Sequence, residues 1–163
     1  LDFLSKDFAN TEKNAKKALE IDPFNAKIIP VAGSLLRRLG QYSDALPVFT
    51  KTLELSSNPA HWVWFEYTIT LTALKKYEKA NEIIEKALTT KEAGTQNTIL
   101  ILNQAAIAIY ENKIEMAKEK CKKAKSRTPN FDLEKNLKMI SDTVDKDFYN
   151  NFLAAVKSAC DLN

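Results

Sequence analysis

Cysteine and histidine are the side chains with the most specific chemistry in this chain, and they are few. The sequence holds two cysteines, Cys121 and Cys160, and one histidine, His61. None has a partner at metal-ligand or catalytic spacing, and the sequence contains neither a glycine-rich phosphate loop nor a nucleophile elbow. We therefore predict no enzyme activity, no metal site and no cofactor. We expect both cysteines to be reduced thiols of an intracellular chain, and His61 to cap a helix or face solvent.

Basic residues crowd one segment of the chain. They are Lys118, Lys120, Lys122, Lys123, Lys125 and Arg127. Because Glu115 and Glu119 are mixed among them and the net charge is only +3, we interpret the segment as a solvated helix face whose lysines complement the helix dipole. Nucleic-acid binding would need a basic stripe that continues across the chain, with aromatic residues interleaved. We expect a protein or peptide partner and no nucleic acid, and contact with a phosphate or an acidic partner stays open.

A recurring phrase indicates the elements that must position any functional residue. It joins an aromatic residue to small and apolar residues at fixed offsets. The clearest copies are Gly40-Gln41-Tyr42-Ser43-Asp44-Ala45 with Phe49 and Leu53, and Lys75-Lys76-Tyr77-Glu78-Lys79-Ala80 with Ile84 and Leu88. Weaker copies lie around residues 8–19 and 112–124. Self-similarity at about 34 residues is typical of stacked helical hairpins, because one hairpin cannot bury its own apolar face.

With these residues in view, the pattern resembles the tetratricopeptide repeat. Gly33 and Gly40 stand at the close-packing and turn positions of that unit, and Pro23, Pro59 and Pro129 follow the ends of copies. The resemblance implies an all-α fold, a right-handed superhelical solenoid of antiparallel helix pairs. The sequence departs from the family pattern at two turns and at two close-packing positions. These departures are Lys75 and Asn112 at the turns, and Thr68 and Ala105 at the close-packing positions.

The repeat divides the chain into two parts. We expect tetratricopeptide-like repeats over 1–129, with a partial repeat at 1–24 and full repeats at about 25–59, 60–96 and 97–129. Because Leu1 falls about ten positions into a repeat, we expect the chain to belong to something longer. No apolar run reaches the roughly 18 to 20 residues of a membrane span, and the first residues show no secretory signal pattern. We expect a cytoplasmic location.

Apolar spacing and capping residues predict the helices of the repeat region. They fall at about 7–21, 25–39, 43–55, 61–74, 78–89, 98–111 and 114–126, with Asn25 and Ser43 as N-caps.

Beyond the repeats, 130–163 has an apolar stripe in steps of three or four residues, after a cap at Asn130 or Asp132. It predicts one long helix, or two helices broken near 141–147. A solenoid needs an end piece, so this segment is interpreted as a cap; its half at 148–159 could instead project as a docking or dimerisation helix.

Function in this architecture depends on the side chains that the first helix of each repeat presents to the concave groove. The resemblance places three sets at these positions. They are Lys27, Val31, Ser34 and Arg38; then Trp62, Phe65, Glu66, Ile69 and Ala73; then Ile99, Leu102, Asn103, Ala106 and Tyr110. Trp64, Tyr67 and Leu71 belong to the opposite, packed face, so the segment is apolar on two faces.

Two interpretations of the second apolar face stay open. The groove could be closed by the protein itself, including its terminal helix, or it could form an exposed trough for an apolar peptide or an amphipathic helix. We predict the trough. Its partner-binding residues are Trp62, Phe65, Glu66, Ile69, Ile99, Leu102, Asn103, Ala106, Tyr110 and Arg38.

The predicted function is a protein-interaction scaffold or adaptor. Co-chaperones of the family hold carboxylate-ended tails with Lys, Asn and Arg, and Glu66 at a corresponding position would repel such a tail. One alternative is a chaperone for apolar segments of a secreted client, similar to type III secretion translocator chaperones, although those are acidic and this chain carries +3. Another is a regulatory segment of a larger enzyme.

Overall fold

The computed structural model describes residues 8–25, 27–56, 59–90, 95–128, 131–141, 143 and 145–161. All regular secondary structure within these ranges is α-helical. The helices of the described residues are α1 (Phe8–Ile21), α2 (Ile29–Arg38), α3 (Tyr42–Leu55), α4 (His61–Ala73), α5 (Tyr77–Leu88), α6 (Thr95–Tyr110), α7 (Ile114–Arg127), α8 (Leu133–Ser141) and α9 (Lys146–Asp161).

These helices form an all-α, right-handed superhelical solenoid of antiparallel pairs, as the repeat predicts. The pairs are α2 with α3, α4 with α5, and α6 with α7, and each packs against the next. Helix α4 contacts α2 on one side and α6 on the other, so the first helices of the pairs form one layer. The buried apolar residues from α2 to α9 make up a single core, as expected when each hairpin depends on its neighbours for burial.

The turns inside the pairs share one backbone conformation. Gly40 has φ 75°, and Lys75 and Asn112 have φ 57° and 58° at the corresponding positions. At each turn the next residue donates its N–H to a carbonyl five residues earlier, as Gln41 does to Leu36 at 3.0 Å and Lys76 to Leu71 at 2.9 Å. This left-handed helix end normally favours glycine, so Lys75 keeps the family's geometry at a cost in backbone energy.

Small residues lie where the helices approach most closely. A Cβ atom on Gly33 would stand 3.1 Å from Phe49 Cε1 and 3.1 Å from Val48 Cγ1. Thr68 and Ala105, which replace glycine at the equivalent positions, are fully buried. The two departures from the family pattern are therefore accommodated within the core.

The caps agree with the sequence in part. Asn25 Oδ1 accepts the N–H groups of Lys27 at 3.0 Å and Ile28 at 3.2 Å in the turn just ahead of α2, whereas the N-cap residue of α2 itself is Ile28, which makes no side-chain capping bond. Asp132 Oδ1 accepts the N–H of Lys135 at 3.0 Å in the first turn of α8. The prediction that Ser43 caps α3 is wrong, because α3 begins at Tyr42 with Gln41 as N-cap and no side-chain capping bond. Asn130 lies outside the described residues.

The C-terminal part is two helices, and the break between Ser141 and Lys146 falls where it was predicted. Asp145 Oδ1 accepts the N–H of Phe148 at 2.8 Å and so caps α9. Helix α9 packs on α6, α7 and α8. Its apolar residues Phe152, Val156 and Ala159 are fully buried, so the alternative in which this half projects from the molecule is wrong.

Candidate interaction face

The concave face, meaning the groove positions of α2, α4 and α6, is mostly covered. Of the ten predicted partner-binding residues, Phe65, Glu66, Ile69, Ile99, Leu102, Asn103 and Ala106 are buried, and Trp62, Tyr110 and Arg38 are half-buried. The prediction that these side chains form an exposed trough is wrong in this structure. That they bind a partner stays a prediction.

Helix α4 is buried on nearly every side. The groove residues Phe65 and Ile69 and the opposite face of Trp64 and Leu71 are each at most 1% exposed. The helix lies between α2 and α6 with α3 and α5 behind it, so both of its apolar faces have a neighbour. Its threonines satisfy their hydroxyls locally, as Thr70 does by donating to the carbonyl oxygen of Glu66 at 2.8 Å.

Glu66 is paired inside the protein. Arg37 of α2 donates from Nε to Glu66 Oε2, and from Nη2 to Oε1 at 3.2 Å. Arg37 is fully buried and Glu66 is 2% exposed. A bidentate guanidinium–carboxylate pair is the geometry that best compensates two buried charges. Glu66 therefore joins the first helices of two successive repeats.

Sequence reasoning missed Arg37 and selected its neighbour Arg38. A lone carboxylate in a strongly apolar helix was the available indication that a buried cation lies opposite. A second buried polar contact joins α4 to α6, where Thr72 Oγ1 and Asn103 Oδ1 lie 2.9 Å apart. Asn103 is therefore also engaged within the protein.

Helix α9 is what covers the α6 part of the concave face. It contacts α6 more extensively than it contacts α7 or α8. The four residues Phe148, Phe152, Val156 and Ala159 form its apolar stripe, while Asn150, Asn151 and Lys157 are exposed on the opposite side. Leu102 and Ala106 of α6 belong to the same buried core as this stripe. The occupant of the face is thus an amphipathic helix of the chain itself.

Two anchors show how far the C-terminal segment reaches. At one end, Thr143 Oγ1 donates to the carbonyl oxygen of Arg38 at 3.3 Å, and the rings of Phe148 and Tyr42 lie 5.4 Å apart. At the other end, Cys160 is joined to Cys121 of α7. The segment therefore runs from the α2–α3 turn to the last repeat, and the 16 residues of α9 supply about 24 Å of that distance.

The bond between Cys121 and Cys160 corrects the expectation of reduced thiols. Their Cα atoms are 5.3 Å apart, and the bridge closes a sequence separation of 39 residues. Cys121 is fully buried and Cys160 is 5% exposed. Buried disulfides are typical of oxidising compartments, so the cytoplasmic location, which rested partly on reduced cysteines, stays a prediction.

His61 also differs from its expected role. It is buried, and its Nε2 lies 2.7 Å from Asn97 Oδ1. This contact joins the start of α4 to the start of α6, so the expectation of capping or solvent exposure is wrong. His61 is a packing residue of the repeat.

An N-terminal apolar patch remains exposed at the other end of the face. It consists of Ile21, Phe24, Ile28 and Val31, which are 72%, 67%, 39% and 50% exposed. Val31 occupies a groove position of the second copy, and the neighbouring groove residue Lys27 is exposed as well. Lys51 Nζ lies 5.1 Å from the centre of the Phe24 ring. The concave face is therefore covered at α6 and open at Lys27 and Val31, whereas Ser34 is buried and Arg38 is half-buried.

The basic segment of α7 is partly neutralised by the protein. Lys118 pairs with Glu115 at 3.1 Å, and Lys120 with Glu85 at 3.7 Å. Lys125 Nζ donates to the carbonyl oxygen of Cys160 at 2.9 Å, near the C-terminal end of α9. A cation at that end complements the helix dipole, and these contacts agree with the interpretation of a structural helix face.

A shallow cleft of about 510 Å³ lies beside the α4–α5 turn, between Thr50, Tyr67 and Lys76. Tyr77 at its edge stacks on Tyr110, with ring centres 5.7 Å apart. Burial, and then the neighbouring Tyr77, raise the pKa of Tyr110 above its ordinary value. Burial raises the pKa of Tyr77 as well. Both phenol groups are therefore protonated at physiological pH, and neither acts as a general base.

Two further observations concern the described residues alone. No three His, Cys, Asp or Glu side chains among them are grouped so that they could hold a metal ion. None of the described helices combines the length and the apolar character that crossing a membrane would require.

The comparisons with known proteins agree with the repeat architecture. No protein-family model matches the chain, and no curated protein matches it in sequence. A crystal structure of MamA matches with a TM-score of 0.67 at 17% identity, over 95% of this chain and 88% of that chain. A crystal structure of MamA protein gives 0.66 at 15% identity, over 96% and 87%. The MamA RS-1 ArsTM double mutant gives 0.64 at 18% identity, over 96% and 85%. This likeness shows a shared tetratricopeptide-like helical-repeat fold.

Proposed function

We propose that this chain is a protein-interaction scaffold whose concave face binds an amphipathic helix or apolar segment of a partner protein. The observation that supports the proposal is α9 itself. An amphipathic helix with apolar residues in steps of three and four already lies against α6. Helix-in-groove recognition uses anchors at the same spacing, so the chemistry of the face suits such a segment.

The ten predicted partner-binding residues have two roles in this proposal. Trp62, Tyr110 and Arg38 are half-buried and can meet a partner while α9 stays in place. Of the seven buried residues, the four on α6 (Ile99, Leu102, Asn103 and Ala106) become available only where α9 is displaced, whereas Phe65, Glu66 and Ile69 lie on α4 between α2 and α6. Val31 and the rest of the N-terminal apolar patch are already exposed, so we propose that the partner makes its first contacts there.

The proposed role is binding rather than catalysis. Among the buried polar groups of the face, the Glu66 carboxylate is paired with Arg37 and Asn103 Oδ1 with Thr72, while Arg37 Nη1 and Asn103 Nδ2 have no hydrogen-bond partner among the described residues. A catalytic site would present such groups to a substrate. A chaperone of apolar client segments would use the same face, and the identity of the bound segments distinguishes it from an adaptor.

Photo-crosslinking at the exposed end of the face tests the proposal. A photoreactive benzophenone residue in place of Lys27 labels whatever binds there in native lysate, and mass spectrometry identifies the crosslinked segment. We expect a segment with apolar residues every three or four positions. Recurrence of one client would indicate a chaperone, and members of a larger complex would indicate an adaptor.

A matched pair of variants controls for surface charge. Val31→Asp places a carboxylate on the concave face, and Met116→Asp places one on α7 outside it. The parent residues are similarly exposed, at 50% and 44%. Crosslinking should fall at least about ten-fold in Val31→Asp and stay unchanged in Met116→Asp, since burying an unpaired carboxylate opposes binding. Equal crosslinking by both variants would reject the proposal.

A further inference from the structure

We propose that α9 is a releasable occupant of the concave face, and that the disulfide between Cys121 and Cys160 controls its release. The oxidised chain keeps α9 against α6, and reduction lets α9 leave. This inference deepens the proposed function, because the surface that reduction uncovers is the binding face proposed above.

The bridge stands where it can control α9 and little else. It joins the last turn of α9 to the middle of α7, while α6 and α7 also pack extensively on each other without it. Helices α2 to α5 contain no cysteine. Loss of the bridge therefore removes a constraint on α9 and leaves the contacts of the repeats in place.

The remaining anchors of α9 are weaker than a covalent bond. Its start is held by the Thr143 to Arg38 hydrogen bond at 3.3 Å and the Tyr42–Phe148 ring contact, and near its end Lys125 Nζ donates to the carbonyl oxygen of Cys160 at 2.9 Å. Lys157 pairs with Glu134 of α8 at 3.6 Å, and Lys157 is 46% exposed. Such exposed ion pairs contribute little to stability. Apolar packing of the α9 stripe then decides how much of the reduced chain stays closed.

Chain entropy sets the size of the effect. A bridge that spans a sequence separation of 39 residues limits the conformations open to the released helix. In the chain-entropy model, removing such a bridge shifts the equilibrium from closed to released α9 by several hundred-fold. Reduction should therefore raise the released population of α9 by roughly ten-fold to several hundred-fold. The range reflects native packing that keeps the released segment partly collapsed.

The redox step balances with a dithiol as the reductant. A thiolate of the dithiol attacks Cys160 Sγ, on the more exposed side of the bridge, and the sulfur–sulfur bond breaks. Cys121 leaves as a thiolate and takes up a proton. The second thiolate of the dithiol then displaces Cys160, which is also protonated, and the dithiol becomes a disulfide. Two electrons and two protons pass from the dithiol to the protein.

Amide hydrogen exchange of the full chain tests the release directly. The oxidised and reduced proteins are compared peptide by peptide, with dithiothreitol as the reductant. We expect exchange in α9 to accelerate at least about ten-fold on reduction. Exchange in α5 should change less than about two-fold, because α5 has no cysteine and packs mainly on α4 and α6.

The Cys160→Ala variant controls for effects of the reductant. It keeps a small apolar residue at this buried position and removes the bridge. Without reductant, its α9 should exchange as fast as that of the reduced parent, and dithiothreitol should change nothing further.

A labelled peptide tests whether the uncovered face accepts a helix. The probe has the sequence of residues 146–161 with Cys160→Ala, and its binding to the full chain is followed by fluorescence anisotropy. Because a closed face lowers affinity in proportion to its population, the Kd of the peptide should fall at least about ten-fold on reduction. The Val31→Asp and Met116→Asp variants indicate whether the peptide reaches the open end of the face.

The outcomes separate this inference from the proposed function. If exchange accelerates in α9 and not in α5, the release of α9 is supported, whether or not the peptide binds. If the peptide binds neither the oxidised nor the reduced chain, and no partner is crosslinked at Lys27, the proposed function is contradicted and the release of α9 is not. Unchanged α9 exchange overturns the inference. So does equal acceleration of α5 and α9, because it would mean that the bridge stabilises the whole fold rather than one helix.

Discussion

The buried ion pair between Arg37 and Glu66 supports a quantitative prediction about stability. Replacing Glu66 by Leu keeps a side chain of similar size and removes the carboxylate. The guanidinium of Arg37 then remains fully buried, and both hydrogen bonds to the carboxylate are lost. Its Nη1 already lacks a hydrogen-bond partner among the described residues. The variant therefore leaves a buried cation with no compensation from this carboxylate.

The expected loss follows from that uncompensated charge. Removing one partner of a buried ion pair costs about 3 to 5 kcal/mol. A chain of 163 residues loses roughly 2 to 4 °C in Tm for each kcal/mol. Glu66→Leu should therefore lower the Tm by about 6 to 20 °C. Guanidinium chloride unfolding, followed by circular dichroism at 222 nm, measures the free energy of unfolding at constant temperature.

Two controls make the measurement specific. The double variant Arg37→Met with Glu66→Leu removes both charges, so it should recover at least about 2 kcal/mol relative to Glu66→Leu. Glu82→Leu breaks the pair with Lys79, whose partners are 64% and 50% exposed, and should cost less than about 1 kcal/mol. If Glu66→Leu costs no more than Glu82→Leu, or if the double variant is no better than Glu66→Leu, the buried-pair reasoning is refuted.

Three further predictions concern the turns, the close packing and the tyrosines. Lys75→Gly should raise the free energy of unfolding by about 0.5 to 1 kcal/mol, because glycine adopts the positive φ of this turn without strain, and Asn112→Gly should gain less; denaturant unfolding measures both. Gly33→Ala should cost about 1 kcal/mol by the same assay, because contact of the new Cβ with Phe49 outweighs the gain in helix propensity. Tyr110 has a raised pKa in the folded chain, so above about pH 10 it keeps its proton there while the unfolded chain loses it. The free energy of unfolding therefore falls as pH rises. Between about pH 9 and 11, the Tm of Tyr110→Phe should decrease less than the Tm of the parent.

Much of the repeat architecture could be predicted from local pattern. The spacing of Tyr42 and Tyr77 indicates the period, and the turn positions Lys75 and Asn112 follow from it even without glycine. Positive φ at both residues confirms that the register, rather than residue type, determines these turns. Local pattern succeeded because a helix face is defined by residues three and four apart. It failed at Ser43, where the helix begins one residue earlier than the cap motif indicates.

The candidate site could be predicted only in part, because burial depends on what lies opposite. Phe65 and Leu102 were placed on the concave side from the repeat register, yet both are buried. The same periodicity identified the stripe of Phe152 and Val156 as apolar. Nothing in either pattern shows that the α9 stripe covers part of the concave face, because Phe152 lies 50 residues from Leu102 and 87 residues from Phe65 in the chain.

The amino-acid sequence by itself determined the helices, their pairing into repeats and the apolar face of each, since short-range periodicity and turn chemistry act within a few residues. The tertiary structure alone decided which distant groups meet: Cys121 with Cys160, Arg37 with Glu66, and α9 with α6. The physical reason is that a side chain's spacing fixes the direction in which it points, whereas its partner depends on how every helix between them packs.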